Sequence, residues 1–200
     1  MPYYKEINLL FIHIPKTGGT SLEDYLRKMY KETLISGHGN SILPEKDLQM
    51  NSLQHQTYTT IYKYREILEV DFSSSLKVIT IVRNPYDRII SDLFHFHLIN
   101  TDDTCESIFN IIKDYLYKDC YDNHNIPQYK FITDENEELI KNIHIFRTES
   151  LTQDINNYGF IDYIGTKSTI IHSNYLNNDS IQLINIFYKK DFELFNYNFK

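Results

Sequence analysis

Two short stretches of the 200-residue chain carry side chains at spacings suited to holding a small anion. The first is Ile14-Pro15-Lys16-Thr17-Gly18-Gly19-Thr20-Ser21. A phosphate needs inward-pointing backbone N–H groups, room for the chain to approach, and a cation. Gly18 and Gly19 give the room, Thr20 and Ser21 open a helix and add hydroxyl donors, and Lys16 supplies the charge. The lysine precedes the glycines, whereas an ATPase loop of the G-x-x-x-x-G-K-[ST] type places it after them. The second stretch is Arg83 with Ser91 eight residues later, Arg88 lying between them. Arginine offers a planar fork to a phosphate, and a serine two turns into the following helix presents its hydroxyl from the same side. Each stretch also has a bland reading. Gly18-Gly19 would serve an ordinary strand-to-helix turn, and Arg83 would pair with an acid while Ser91 faced solvent.

The elements around them decide between these readings. Ile7 to Ile14 is a dense apolar run of the kind found in a buried parallel strand. After the glycines, Leu22, Tyr25, Leu26 and Met29 recur at helical spacing, and Thr20 with Glu23 fits a capping box. A second unit begins with the β-branched run Lys77 to Val82. Asn84 suits an N-cap and Pro85 the first helical position; Ile89, Ile90, Leu93, Phe94 and His97 would line one helix face. A third strand is expected at Ile143 to Phe146, a helix over Leu151 to Tyr158, and a last helix over Asp179 to Lys190 with Ile181, Ile184, Phe187 and Tyr188 inward. Strands alternating with helices imply an α/β fold with a mostly parallel central sheet. Ligands of such sheets sit beyond the carboxyl ends of the strands, and both loops lie there. Residues 36–75 read as loops over the site, and 100–142 as a helical insertion shaping its far side. The length favours one domain over residues 1–200.

Composition narrows the function further. The net charge of −7 argues against broad nucleic-acid binding, which needs a basic face, yet leaves room for a local basic pocket. Alanine is absent while Ile, Asn, Tyr and Lys abound, a codon-level bias, so the 17 tyrosines are not read as a signature. Two cysteines, Cys105 and Cys120, suggest neither a disulfide framework nor a metal site. No leader-like segment precedes the first strand and no apolar run approaches the length of a membrane span. A soluble, cytoplasmic protein is expected.

Taken together, Ile-Pro-Lys-Thr-Gly-Gly-Thr-Ser and Ile-Val-Arg-Asn-Pro-Tyr-Asp-Arg-Ile-Ile-Ser resemble the sulfotransferases that use 3′-phosphoadenosine-5′-phosphosulfate (PAPS). The nearest branch is the carbohydrate one that includes heparan sulfate 2-O-sulfotransferase. The resemblance implies a P-loop-like three-layer fold. It implies that Lys16, Thr17, Gly18, Gly19, Thr20 and Ser21 bind the 5′-phosphosulfate and that Arg83 and Ser91 bind the 3′-phosphate. Looser similarities extend along the chain, at Asn125-Ile126-Pro127-Gln128, at Phe146 to Leu151, and at Tyr188-x-x-Asp191-Phe192-x-x-Phe195.

Sulfuryl transfer, like phosphoryl transfer, is in-line attack through a loose transition state, which a protein serves mainly by positioning and charge stabilisation. Lys16 is the candidate for the charge developing on the bridging oxygen. The acceptor hydroxyl needs a general base, for which histidine is suited at neutral pH. Of eight histidines, His55 is favoured because Leu53-Gln54-His55-Gln56-Thr57 resembles the family's His-x-Thr segment. His38, between two glycines, is the competitor, and Glu23 is a carboxylate alternative. His13, His95 and His97 are expected to be structural, and His124, His144 and His172 have no distinctive surroundings. No metal is required, since fixed cations and a helix dipole take its place. The expected partner is a hydroxyl-bearing acceptor, a glycan by resemblance, with no nucleic acid and no membrane span. Two other functions remain open on the sequence: a nucleotide or small-molecule kinase, and a module that binds nucleotide or glycan without turnover.

Overall fold

The computed structural model describes residues 2–30, 43–45, 51–118, 121–165 and 172–200. Four strands form one sheet in the order β1 (Tyr3–Tyr4), β2 (Leu9–Ile12), β3 (Lys77–Val82) and β4 (Ile143–Arg147). Strand β1 is an antiparallel edge, whereas β2, β3 and β4 run parallel. The register runs from Leu9 opposite Lys77 to Ile12 opposite Thr80, and from Val78 opposite Ile143 to Val82 opposite Arg147. The carboxyl ends of three neighbouring strands therefore lie along one edge. This is an α/β fold with a mostly parallel sheet and helices against it, as the strand–helix alternation predicts.

Period-two alternation divides the core between the two faces. Leu9 and Phe11 of β2 and Ile79 and Ile81 of β3 meet Leu22 and Leu26 of α1 (Gly19–Met29) and Leu151 and Ile155 of α5 (Leu151–Tyr158). Leu10, Ile12, Val78 and Val82 face the other way, onto Phe131, Ile132 and Phe195. Leu22 and Leu26 are wholly buried, and burying such a side chain contributes about 1.5–3 kcal/mol. A third apolar cluster joins α3 (Pro85–His95), α4 (Cys105–Leu116), α6 (Asn178–Phe187) and α7 (Lys189–Leu194), through Ile89, Leu93, Ile112, Ile184 and Phe192. The helix after β3 is thus held firmly behind its loop.

Several boundaries differ from the sequence expectation. The first strand is shorter at both ends: Lys5–Ile7 form a 3-10 turn closed by Asn8 at φ 43°, and His13 has already left the sheet. The capping box at Thr20 and Glu23 does not form. The N-cap is Gly18, at φ 93°, with no side-chain cap, because the Glu23 carboxylate is engaged by His13 and Arg27. Asn84 does cap α3, accepting from Tyr86 N at 3.1 Å, with Pro85 in the first turn. That helix ends at His95, so His97, at φ 54°, lies beyond it and not on its face. The expected last helix breaks at Tyr188 into α6 and α7. Between residues 36 and 75 the described part includes α2 (Tyr58–Lys63), capped by Thr57, as well as loops. Within 100–142 the helical portion is α4, followed by turns and a 3-10 segment, Gln128–Phe131. Among the described residues no helix is long and apolar enough to cross a membrane.

Candidate active site

The chain leaving β2 turns sharply over residues 13–18. Lys16 sits in the left-handed region at φ 63° and Gly18 at φ 93°. A lysine there is a strained conformation, costing on the order of 1–3 kcal/mol and typical of ligand-binding turns. Thr17 is fully buried, and its hydroxyl donates to Ile14 O at 2.8 Å, closing the turn. The Ser21 hydroxyl donates to Gly18 O at 2.8 Å and meets the Tyr163 hydroxyl at 2.6 Å. These two hydroxyls shape the loop from within, while Thr20 is exposed. What the loop presents outward is the first turn of α1, whose leading N–H groups have no partner within the helix, together with the Lys16 ammonium. Lys16 has no ion-pair partner among the described residues. Its pKa is held below the ordinary lysine value chiefly by burial, with Arg83 adding to the effect and Asp92 opposing it.

Gly19 is required for a second reason. A Cβ at that position would collide with the imidazole of His13. His13 lies directly over the helix start, stacked on Phe11 and bonded through Nδ1 to Glu23. Burial would raise the Glu23 carboxyl, but the His13 bond and the charges of His13 and Arg27 outweigh it and keep it low. Glu23 is thus a support for His13 and Arg27, enclosed among them.

The second loop is fastened to the first. Arg83 is buried, and its Nη1 donates to Lys16 O at 3.0 Å. Its own backbone is held by Gln128, whose side chain accepts from Arg83 N at 2.9 Å and donates to Arg83 O at 2.8 Å. Gln128 N and Tyr129 N in turn donate to the buried Asp191 carboxylate, each at 2.8 Å. Burial pushes that carboxyl up to about 6, against the pull of these bonds. A third strand end joins in: the Thr148 hydroxyl, just past β4, lies 2.6 Å from Thr17 O and 3.1 Å from Val82 O. Ser91 is half-buried on α3, with no hydrogen-bond partner among the described residues. Arg88 is not a ligand-facing cation. It is 1% exposed and donates to three backbone carbonyls, Pro15 O at 3.1 Å, Ile126 O at 2.9 Å and His124 O at 2.6 Å.

Beside these loops runs a chain of imidazoles. The His13 ring meets His55 edge-on at 5.4 Å, His55 meets His124 at 4.8 Å, and His124 stacks on His95 at 5.6 Å. Two of the rings are braced by carboxylates: His55 Nδ1 lies 2.7 Å from Asp122, and His124 Nδ1 lies 2.7 Å from Asp92. Ser52 fixes Asp122 in turn through its hydroxyl, at 2.8 Å. Burial lowers the pKa of both His55 and His124, against the opposing pull of Asp122 and Asp92. Burial lowers His95 as well, with the Lys16 charge the next contribution, which puts Lys16 near this end of the array. A cavity of about 300 Å³ is lined by Ser52, Gln54, His55, His95, Phe96, Asp122 and His124. The arrangement joins two polar loops at three strand ends, with a pocket of buried imidazoles alongside.

A family model described as the sulfotransferase family matches residues 3–198. The chain belongs to the sulfotransferase family. A search of curated proteins and a search of solved structures each return no match. As a sulfotransferase the chain moves a sulfuryl group from a sulfate donor to a hydroxyl-bearing acceptor. Of the residues singled out in the sequence, Lys16, Thr17, Gly18, Gly19, Arg83 and Glu23 gather around this sulfotransferase's joined loops. His55 lines the neighbouring cavity with His95 and His124. His38 lies outside the described residues. Asp122, His124, Gln128 and Thr148 were missed or read without a role. The Asn125 to Gln128 similarity pointed toward Gln128 and the Phe146 to Leu151 similarity toward Thr148; neither gave the residue a role.

Proposed function

We propose that this sulfotransferase takes its sulfuryl group from PAPS and delivers it to a carbohydrate hydroxyl, through one domain spanning residues 1–200. The observation that carries the proposal is the direct bond from the Arg83 guanidinium to the Lys16 carbonyl, which ties two anion-binding loops into one cradle. On this reading the N–H groups at the start of α1 and the Lys16 ammonium hold the 5′-phosphosulfate, and Arg83 and Ser91 hold the 3′-phosphate. An incoming anion offsets the desolvation that lowers the lysine pKa. Lys16 then stabilises negative charge on the bridging oxygen as the sulfur–oxygen bond breaks. The acceptor oxygen attacks the sulfur in line, and its proton passes to His55. Asp122, accepting from Nδ1–H of His55, leaves Nε2 as the basic atom. Burial keeps that ring neutral and therefore able to take a proton. His55 is favoured over His38 because its cavity adjoins the Lys16 end of the imidazole array. The carbohydrate class follows from the resemblance to the heparan sulfate 2-O-sulfotransferase branch.

The test uses adenosine 3′,5′-bisphosphate (PAP), the desulfated product. PAP is expected to raise the melting temperature of the wild type, and Lys16→Ala or Arg83→Ala to abolish the rise. Labelled sulfate from PAPS is then offered to a panel of glycans, with His55→Ala expected to lose transfer while keeping PAP binding. No thermal shift with millimolar PAP sinks the donor assignment. Binding without transfer to any glycan replaces the enzyme reading with a binding module, and a preference for ATP with Mg²⁺ replaces it with a kinase.

A further inference from the structure

A single proton acceptor would serve sulfuryl transfer, yet four of the chain's eight histidines form one continuous array. Within it, His55, Asp122 and His124 can offer two ring nitrogens and a carboxylate oxygen that all lie within 4.8 Å of one another. Both histidines are buried and Asp122 is half-buried, so this is not a solvated acidic patch. From this geometry we infer that His55, Asp122 and His124 form a binding site for a divalent transition-metal ion of the zinc type, in the wall of the 300 Å³ cavity.

Three features support the inference. Two imidazoles and one carboxylate are the donor set of zinc sites that leave a fourth position open to water or substrate. The adjoining cavity provides space for that fourth ligand. The His124 ring already has its Nδ1 bonded to a carboxylate, Asp92, at 2.7 Å, the outer bond that orients metal-binding histidines. Ligand atoms on a tetrahedral zinc ion sit roughly 3.3 Å apart, given bond lengths of about 2.0–2.1 Å. The three groups must therefore close by no more than about 1.5 Å, and the His55 Nδ1–Asp122 hydrogen bond must give way as both groups turn to the ion. Hard cations such as Mg²⁺ prefer all-oxygen surroundings and fit poorly. The inference on binding is independent of the proposed donor. Its consequence rests on the proposed function: metal on the cluster competes for the His55 lone pair and blocks transfer, so the ion acts as an inhibitor.

The experiment uses the full chain free of any histidine tag and stripped with chelator, titrated calorimetrically with ZnCl₂. PAP thermal shift is run in parallel as the check on folding and on the donor reading. One zinc ion is expected per chain, and Asp122→Asn and His124→Ala are each expected to weaken binding by at least about tenfold. In the wild type, the imidazole NMR signals of His55 and His124 are expected to shift on adding zinc while those of the exposed His144 stay still; this readout needs no variant to fold. Three results overturn the inference: no zinc binding up to millimolar concentration, binding unchanged in both variants, or Mg²⁺ binding as tightly as Zn²⁺. Zinc binding with no PAP response leaves the metal site standing and removes the donor assignment instead.

Discussion

Replacing Gln128 with leucine tests whether the Arg83 loop is held from below. The side chain is fully buried and is bonded to both the N–H and the C=O of Arg83, at 2.9 and 2.8 Å. Leucine has similar volume but no polar atoms, so it leaves two backbone groups without these partners in a buried setting. Each unsatisfied group costs about 1–3 kcal/mol. Some of that is offset by the apolar side chain, and a net loss of about 3 kcal/mol is expected. For a domain of this size each kcal/mol moves the melting temperature by about 2–4 °C, giving a fall of about 6–12 °C by the same scaling. Because Arg83 also reaches Lys16 O, the thermal shift produced by PAP should shrink as well. Gln128→Glu refines the test. It keeps an acceptor for Arg83 N, loses the donor to Arg83 O, and sets a second carboxylate beside Asp191. It should be no more stable than the leucine variant. A Gln128→Leu protein that melts within about 2 °C of the wild type and retains the full PAP shift would refute the claim that this side chain positions the loop.

Gly19→Ala should destabilise the protein by about 1–3 kcal/mol and weaken PAP binding, since the new methyl meets a His13 ring pinned between Glu23 and His55; an unchanged melting curve removes the close-approach argument. Stability should also fall in acid. The folded pKa values of His55 and His124 lie below the ordinary 6.5, so the unfolded chain binds more protons once the pH drops below that value, and the stability these neutral rings permit is lost from there downward. Asp191 acts in the opposite sense, because its folded pKa of about 6 lies above the ordinary 3.8, so its contribution diminishes as pH rises through about 6. Urea midpoints measured from pH 7.5 to 5 for the wild type and a His55→Gln/His124→Gln double variant separate the two. Identical pH slopes refute the assignment to the histidines.

The legible parts of the fold were those written in local pattern. The β-branched run Lys77 to Val82 and the Asn84-Pro85 helix start need only neighbouring residues to be recognised, and both form as expected. Thr20 and Glu23 met the spacing of a capping box, yet long-range demand decided otherwise: a histidine from the strand ahead takes the carboxylate. The strand–glycine loop–helix unit around Lys16 was legible because an apolar run, two glycines and a helical period follow one another directly. The imidazole pocket was not, because Asp122 is 67 residues from His55, and His124 meets Asp92 across 32. Periodicity carries no information about which distant acid will stand beside which ring. Arg88 stood out in the sequence only as a further positive group beside Arg83, and its burial shows that it donates to three backbone carbonyls instead.

That guanidinium clasps the turn before Lys16 to the segment that carries His124. All three of its acceptors are main-chain oxygens, which every residue type supplies. The clasp is therefore indifferent to the side chains at positions 15, 124 and 126. Substitutions can accumulate there while the two segments stay docked in the same relative position. This fastening of the Pro15 turn to the His124 segment thus depends on one buried side chain and on main-chain acceptors, not on the identities of the residues it grips.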